Sequence, residues 1–140
     1  MVSAGHSAAT IECALDSVKS GVTMVTHMFN AMNSFHHRDP GIVGLLGSDL
    51  PDLYYGLIVD GIHCHPASAL IAHRAHPKGV VLVTDAIGAM GLEPGKYQLG
   101  TMDVEITDRA TVVGTDTLAG HLSHTCSFKP PQSLPNPSIL

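Results

Sequence analysis

Tryptophan is absent, and three phenylalanines and three tyrosines are all that stand in its place. A chain so poor in aromatic rings lacks the stacking platforms of carbohydrate modules and most peptide grooves. Charge is sparse as well, at 14% of residues with a net charge of −5. No basic run is present, which argues against a nucleic-acid partner. No apolar stretch approaches the roughly 20 residues of a membrane span. Met1 leads into neither a basic segment nor a long apolar region, so no secretory signal is expected. The three cysteines, Cys13, Cys64 and Cys126, form no CxxC pair and no even framework. They read as reduced thiols, and the expected compartment is the cytoplasm.

What is present is a 140-residue chain of ordinary hydrophobic content, 44%, with 14 glycines and ten histidines. That length suits one domain with a sizeable core. The histidines invite a search for metal ligands or acid-base groups.

The order of apolar segments is informative. Ser7 is placed to cap a helix from Ala8 to Lys19, with Ile11, Leu15 and Val18 on one face and Gly21 as its stop. Val22 to Thr26 is a β-branched run that predicts a buried strand. After a polar loop, "NSFHHRDPG", the segment "IVGLLGSD" has room for a helical turn or two. Leu53 to Val59 predicts the next strand, Pro66 the first turn of a second helix over "PASALIAHRAH", and "GVVLVTD" a third strand. Continuous apolar strands alternating with helices predict a parallel sheet covered by helices.

Beyond Ala86 the pattern changes to short alternating stretches, "YQLG", "MDVEIT" and "TVVGT", which predict antiparallel β structure. The last eleven residues hold four prolines, and the tail 121–140 is expected to be disordered. The chain therefore divides into α/β residues 1–95, short β segments 96–120 and the tail.

Polar residues end the strands. His6 follows "VSAG", His27 follows "VTMVT", His63 follows "LYYGLIVDGI" and Asp85 follows "VVLVT", at separations of 21, 36 and 22 residues. Each interval holds one β/α unit, so all four side chains fall on the carboxyl edge of one sheet, where active sites of α/β folds lie. Two imidazoles at neighbouring strand ends suit a divalent cation, with zinc the first choice for nitrogen ligands. Asp85 suits proton transfer to and from a metal-activated water. Taken singly, each histidine has a structural reading as a hydrogen-bonded strand end, and "HHRDPG" one as a solvated turn. His73 and His76 are expected on a partly exposed helix face, while His65, His121 and His124 have no assigned role.

Six motifs in order, "SAGHSAAT", "GVTMVTHMFNAM", "HHRDPGIVGLLG", "GLIVDGIHCHP", "LVTDAIGAMGL" and "GTDTLAG", resemble those of the N-acetylglucosamine-6-phosphate deacetylases. These belong to the amidohydrolase superfamily of metal-dependent (β/α)8 barrels. The resemblance covers residues 2–120. It implies a metal held by His6 and His27, and Asp85 as the catalytic acid/base. It further implies substrate contacts from Asn30, Ala31, Arg38 and His63, the arginine suiting a phosphomonoester. The implied reaction is hydrolysis of N-acetylglucosamine 6-phosphate to glucosamine 6-phosphate and acetate, in an enzyme that is a homodimer.

The resemblance also implies that half of the barrel, with an acidic metal ligand and a further histidine, precedes the "GHS" motif. The fold expected of this chain is thus about the second half of a barrel, followed by strands returning toward a small β domain. Two functions stay open on that expectation: a deacetylase in truncated form, and a non-catalytic fragment or decoy of one. Instability or self-assembly of the isolated chain is a third outcome.

Overall fold

The β-branched run that ends in His27 is the second strand of a four-stranded parallel sheet. A computed structural model describes residues 1–107, 109–115, 117–120 and 122. The sheet comprises β1 (Val2–Ala4), β2 (Val22–Val25), β3 (Tyr54–Leu57) and β4 (Val80–Leu82), in spatial order β1-β2-β3-β4. Register pairs Ala4 with Val25, Val25 with Tyr55, and Leu57 with Leu82. Helix α1 (Ile11–Lys19) joins β1 to β2, a 3-10 segment (Gly41–Gly47) lies between β2 and β3, and α2 (Pro66–Ala75) joins β3 to β4. Parallel neighbours need such crossovers. Sequential order then puts every strand's carboxyl end on one edge.

The expected alternation is present, with its boundaries adjusted. Helix α1 starts at Ile11, because Thr10 is the cap: its Oγ1 accepts the Cys13 N–H at 3.4 Å. Ser7 instead accepts the Ala9 N–H at 3.1 Å in the preceding turn. The Ile11 N–H goes to Asp39 Oδ1 at 3.0 Å, and the same oxygen accepts the Gly41 N–H at 3.1 Å. The "HHRDPG" loop is therefore more than a solvated turn, since its carboxylate clasps the amino end of α1, where negative charge is favoured. The far end of α1 stops at Gly21 as predicted, with φ +109° and its N–H on the Val18 carbonyl.

Helix α2 is capped by His65, whose Nδ1 accepts the Ala67 N–H at 3.1 Å. His73 is exposed, as expected of the helix face. His76 is not on that face. It is the half-buried residue ending α2, and its Nε2–H donates to the Leu53 carbonyl at 2.7 Å. That bond ties the end of α2 to the start of β3.

Between the sheet and its covering segments lie Ala14, Val25, Met28, Leu45, Leu46, Leu53, Tyr55, Leu57, Ala69 and Ala72, all buried. Burial of each large side chain contributes about 1.5–3 kcal/mol.

After β4 the chain builds an antiparallel meander, as the change of pattern predicts. It consists of β5 (Gly95–Leu99), β6 (Met102–Ile106), β7 (Ala110–Val112) and β8 (Leu118–Gly120), in that order. Its own small core is Ala89, Val104, Ile106 and Ala110, with Ile87 and Tyr97 packed against it. Strand β8 lies close to the segment that follows β4. A Cβ on Gly120 would overlap Ile87 and come within 2.9 Å of the Asp85 carbonyl oxygen. The expected disorder of the tail concerns residues outside those described, apart from Leu122. No described helix is long and apolar enough to cross a membrane.

Candidate metal and substrate site

Strands β1 and β2 are neighbours, and each carries a histidine two residues past its end. Those rings meet. His6 Nε2 lies 3.0 Å from His27 Nε2, with ring centroids 4.9 Å apart. His6 is exposed and His27 is buried, so the pair sits at a surface opening. Asp85, three residues past β4, is exposed and shares a cavity of about 200 Å³ with Met24, Thr26, His27, Gly56 and Val83. Gly56 of the intervening β3 makes that closeness feasible, since a Cβ there would stand 3.0 Å from the His27 nitrogen.

The backbone at all three residues is left-handed: φ is +48° at His6, +28° at His27 and +52° at Asp85. Each costs about 1–3 kcal/mol for a residue with a side chain. His27 adds a second cost, because its Nδ1 is buried with no hydrogen-bond partner. An unmet buried polar atom costs about 1–3 kcal/mol. Backbone strain thus gathers at one strand edge, as it does at functional sites. The unmet Nδ1 is the ring's other nitrogen from the one facing His6, and Tyr55 Oη in the core is likewise unmet. Two imidazole nitrogens converging at 3.0 Å fit a divalent cation as donors. Among the described residues, no group of three or more His, Cys, Asp or Glu side chains is placed to hold a metal. The described residues bring two imidazole rings together here, those of His6 and His27.

The remaining predicted residues lie in the loops that follow β2 and β3. Asn30 braces the turn after His27, its N–H and its Nδ2 both donating to the His27 carbonyl, at 3.0 and 3.3 Å. Nδ2 also donates to the Met28 carbonyl at 3.2 Å. Ala31 follows with φ +51°, and Phe29 before it has φ +78°. Arg38 is exposed in the loop that Asp39 anchors.

His63 lines a separate groove of about 760 Å³, walled by Phe29, Met32, Phe35, Val43 and Ile71 among others. The structure thus brings the His6 ring to His27, puts His27 and Asp85 at one cavity, and places His63 in a separate groove.

Sequence reasoning passed over Asp60. Its Oδ2 receives the His63 ring nitrogen Nδ1 at 2.6 Å, with both side chains nearly covered. Burial pushes this carboxyl up, but the hydrogen bonds from the His63 ring and from the His63 and Ile62 N–H groups outweigh it and hold the carboxyl below its ordinary value. Burial, helped by the charge of Asp60, pushes the Cys64 thiol up, which keeps it protonated and inert. The Asp-Gly pair at 60–61 was the available signal, because that dipeptide marks a turn whose carboxylate binds nearby N–H groups.

Two imidazoles and a carboxylate at the carboxyl edge of a parallel α/β sheet are groups of the kind that metal-assisted hydrolysis uses. Comparison with known proteins gives the chain particular relatives. The N-acetylglucosamine-6-phosphate deacetylases of Danio rerio and Homo sapiens are each 57% identical over 127 residues, covering 87% of this chain and 31% of theirs. The structure of a point variant of N-acetyl-D-glucosamine-6-phosphate deacetylase from Mycobacterium smegmatis, in complex with N-acetyl-D-glucosamine-6-phosphate, superposes with a TM-score of 0.80. That match has 34% identity and covers 86% of this chain and 32% of that one. No family model matches the chain. In sequence and in fold the chain is similar to N-acetylglucosamine-6-phosphate deacetylases over most of its residues, and it spans about a third of the length of the relatives it matches.

Proposed function

We propose that the chain forms the metal-binding and proton-transfer corner of an N-acetylglucosamine-6-phosphate deacetylase, the product being glucosamine 6-phosphate and acetate. The observation that carries this is the 3.0 Å approach of His6 Nε2 to His27 Nε2 beside Asp85. A divalent cation held there, with zinc the first choice for imidazole ligands, would polarise the substrate carbonyl and lower the pKa of a bound water.

The chain's own residues then have distinct tasks. Asp85 takes the proton from the attacking water and returns it to the departing amine. Asn30 and Ala31 present the turn after His27 to the sugar phosphate, and Arg38 offers forked donors that match a phosphomonoester. His63 contacts substrate from the groove that it lines. On this reading the parallel sheet, residues 1–95, is part of a (β/α)8 barrel and residues 96–120 belong to a small β domain. The complete enzyme is a cytoplasmic homodimer.

A second reading is favoured by the ligand count. Catalytic zinc sites use three protein ligands, and two converge among the described residues. The 140-residue polypeptide taken alone is then a binding fragment without turnover. Acetate release by the purified chain with zinc and N-acetylglucosamine 6-phosphate separates the two. Turnover within about tenfold of a complete relative favours the first; metal bound without turnover favours the second. Neither metal nor substrate binding would sink both.

A further inference from the structure

Residues 60–63 close the polar edge beyond β3 and carry an arrangement that the reaction as described does not use. Asp60 Oδ1 accepts the N–H of Ile62 at 2.9 Å and that of His63 at 2.8 Å, while Oδ2 faces His63 Nδ1 at 2.6 Å. Gly61, at φ +77°, lets the chain reverse within this span. The Asp60 side chain is 2% exposed and that of His63 6%. The carboxyl is held below its ordinary value, so it is an anion at neutral pH. An ionised carboxylate only accepts hydrogen bonds, so the shared hydrogen sits on Nδ1.

We propose that Asp60 is a positioning residue for His63. It fixes the ring proton on Nδ1 and directs Nε2 to the groove as the atom that contacts the sugar phosphate. An imidazole without such a partner exchanges between two tautomers and rotates, so half of its orientations present the wrong atom. The identity of what Nε2 meets rests on the function proposed above, whereas the tautomer does not. A carboxylate that only closed a turn would need Oδ1 alone. The 2.6 Å contact made by the second oxygen is what separates the two roles.

Asp60→Asn tests this. The asparagine carbonyl still accepts the two backbone N–H groups, so the turn survives. Its NH2 faces Nδ1 as a donor, which forces the ring to accept there and carry its proton on Nε2. Long-range ¹H–¹⁵N correlation spectra of the 140-residue chain, with His63 assigned through His63→Gln, read the tautomer directly. The unaltered chain should show one Nδ1–H tautomer, and Asp60→Asn should invert it. A mixed or Nε2–H ring in the unaltered chain, as an unfolded chain would give, overturns the positioning role, as does a tautomer unchanged by the substitution. N-acetylglucosamine 6-phosphate is then titrated into both chains. Its binding, read at the His63 ring, should weaken about tenfold in Asp60→Asn, the equivalent of one hydrogen bond. Inversion with no response of His63 in either chain overturns the substrate assignment alone.

Discussion

His27 and His63 both follow strands of one parallel sheet, and their rings are held in opposite ways. His27 is buried, strained at φ +28°, and has an unmet Nδ1. His63 is held through Nδ1 by a carboxylate that also ties down its backbone. The first is an arrangement that costs stability, in backbone strain and in a buried nitrogen left unmet. The second is satisfied by the protein itself. Ends of neighbouring strands on one scaffold can therefore be held differently, one strained with a ring nitrogen unmet and the other fixed in orientation.

The largest effects should break the His27 side of this contrast. His27→Ala removes one of two converging donors. Metal affinity of the chain should fall by more than the 10–100-fold that loss of an outer hydrogen-bond partner costs. Equilibrium dialysis against zinc measures it, and unchanged affinity would mean that the two rings are only packed. Asp85→Asn should behave differently, and that substitution belongs in a complete enzyme carrying these motifs. There kcat should fall about 10²–10⁴-fold with bound metal retained. Loss of metal with Asp85→Asn would make it a ligand and end its assignment to proton transfer.

A smaller effect should come from Gly120, where the meander reaches the site. The φ of +136° disfavours any side chain, and an added methyl would overlap Ile87. Gly120→Ala should destabilise the chain by about 1–3 kcal/mol, the usual result of forcing atoms into filled space. Denaturant midpoints would show it. A neutral outcome would mean that the meander and the parallel sheet do not depend on each other at Asp85.

Acid sharpens the His63 side. The Asp60 carboxyl is depressed in the folded chain, so its stabilisation is fully present above the unfolded value of about 3.9 and is lost as pH falls through the folded one. The margin of the unaltered chain over Asp60→Asn should therefore be constant near neutrality and shrink below about pH 4. Urea midpoints from pH 7 to pH 3 give that margin. A margin independent of pH would contradict the ionised Asp60.

These features differ in how far the sequence announces them. Strands β2, β3 and β4 are legible because a parallel strand buried on both faces must be a continuous apolar run. The edge that carries His6, His27 and Asp85 is legible for the same reason, since spacing between such runs fixes which residues end them. Side-chain partners are less legible. Nothing local says that His65 caps α2, because its ring replaces the usual Ser, Thr, Asp or Asn. His76 looks like a surface residue until Leu53, 23 positions away, is placed beside its ring. The Asp60–His63 contact spans only three residues, yet it depends on the turn that Gly61 permits.

The start of α1 gives the smallest and most direct comparison. Ser7 and Thr10 are both hydroxyl residues that can cap a helix, and local pattern favours the earlier. Asp39 decides between them from 28 residues away, by taking the Ile11 N–H and fixing where the first turn begins. Thr10→Ala should then cost about 1 kcal/mol, the usual loss for a capping hydroxyl. Ser7→Ala, which removes only a bond within the turn, should stay within about 0.5 kcal/mol, as most surface changes do. Asp39→Asn keeps the acceptor for Ile11 but loses the charge at the helix end, a difference of about 0.3–1 kcal/mol at low salt. That loss should fade as salt is added, because exposed charges are screened. Should Ser7→Ala prove the costlier of the two hydroxyl changes, the helix begins at Ala8 after all, and Asp39 does not set its start.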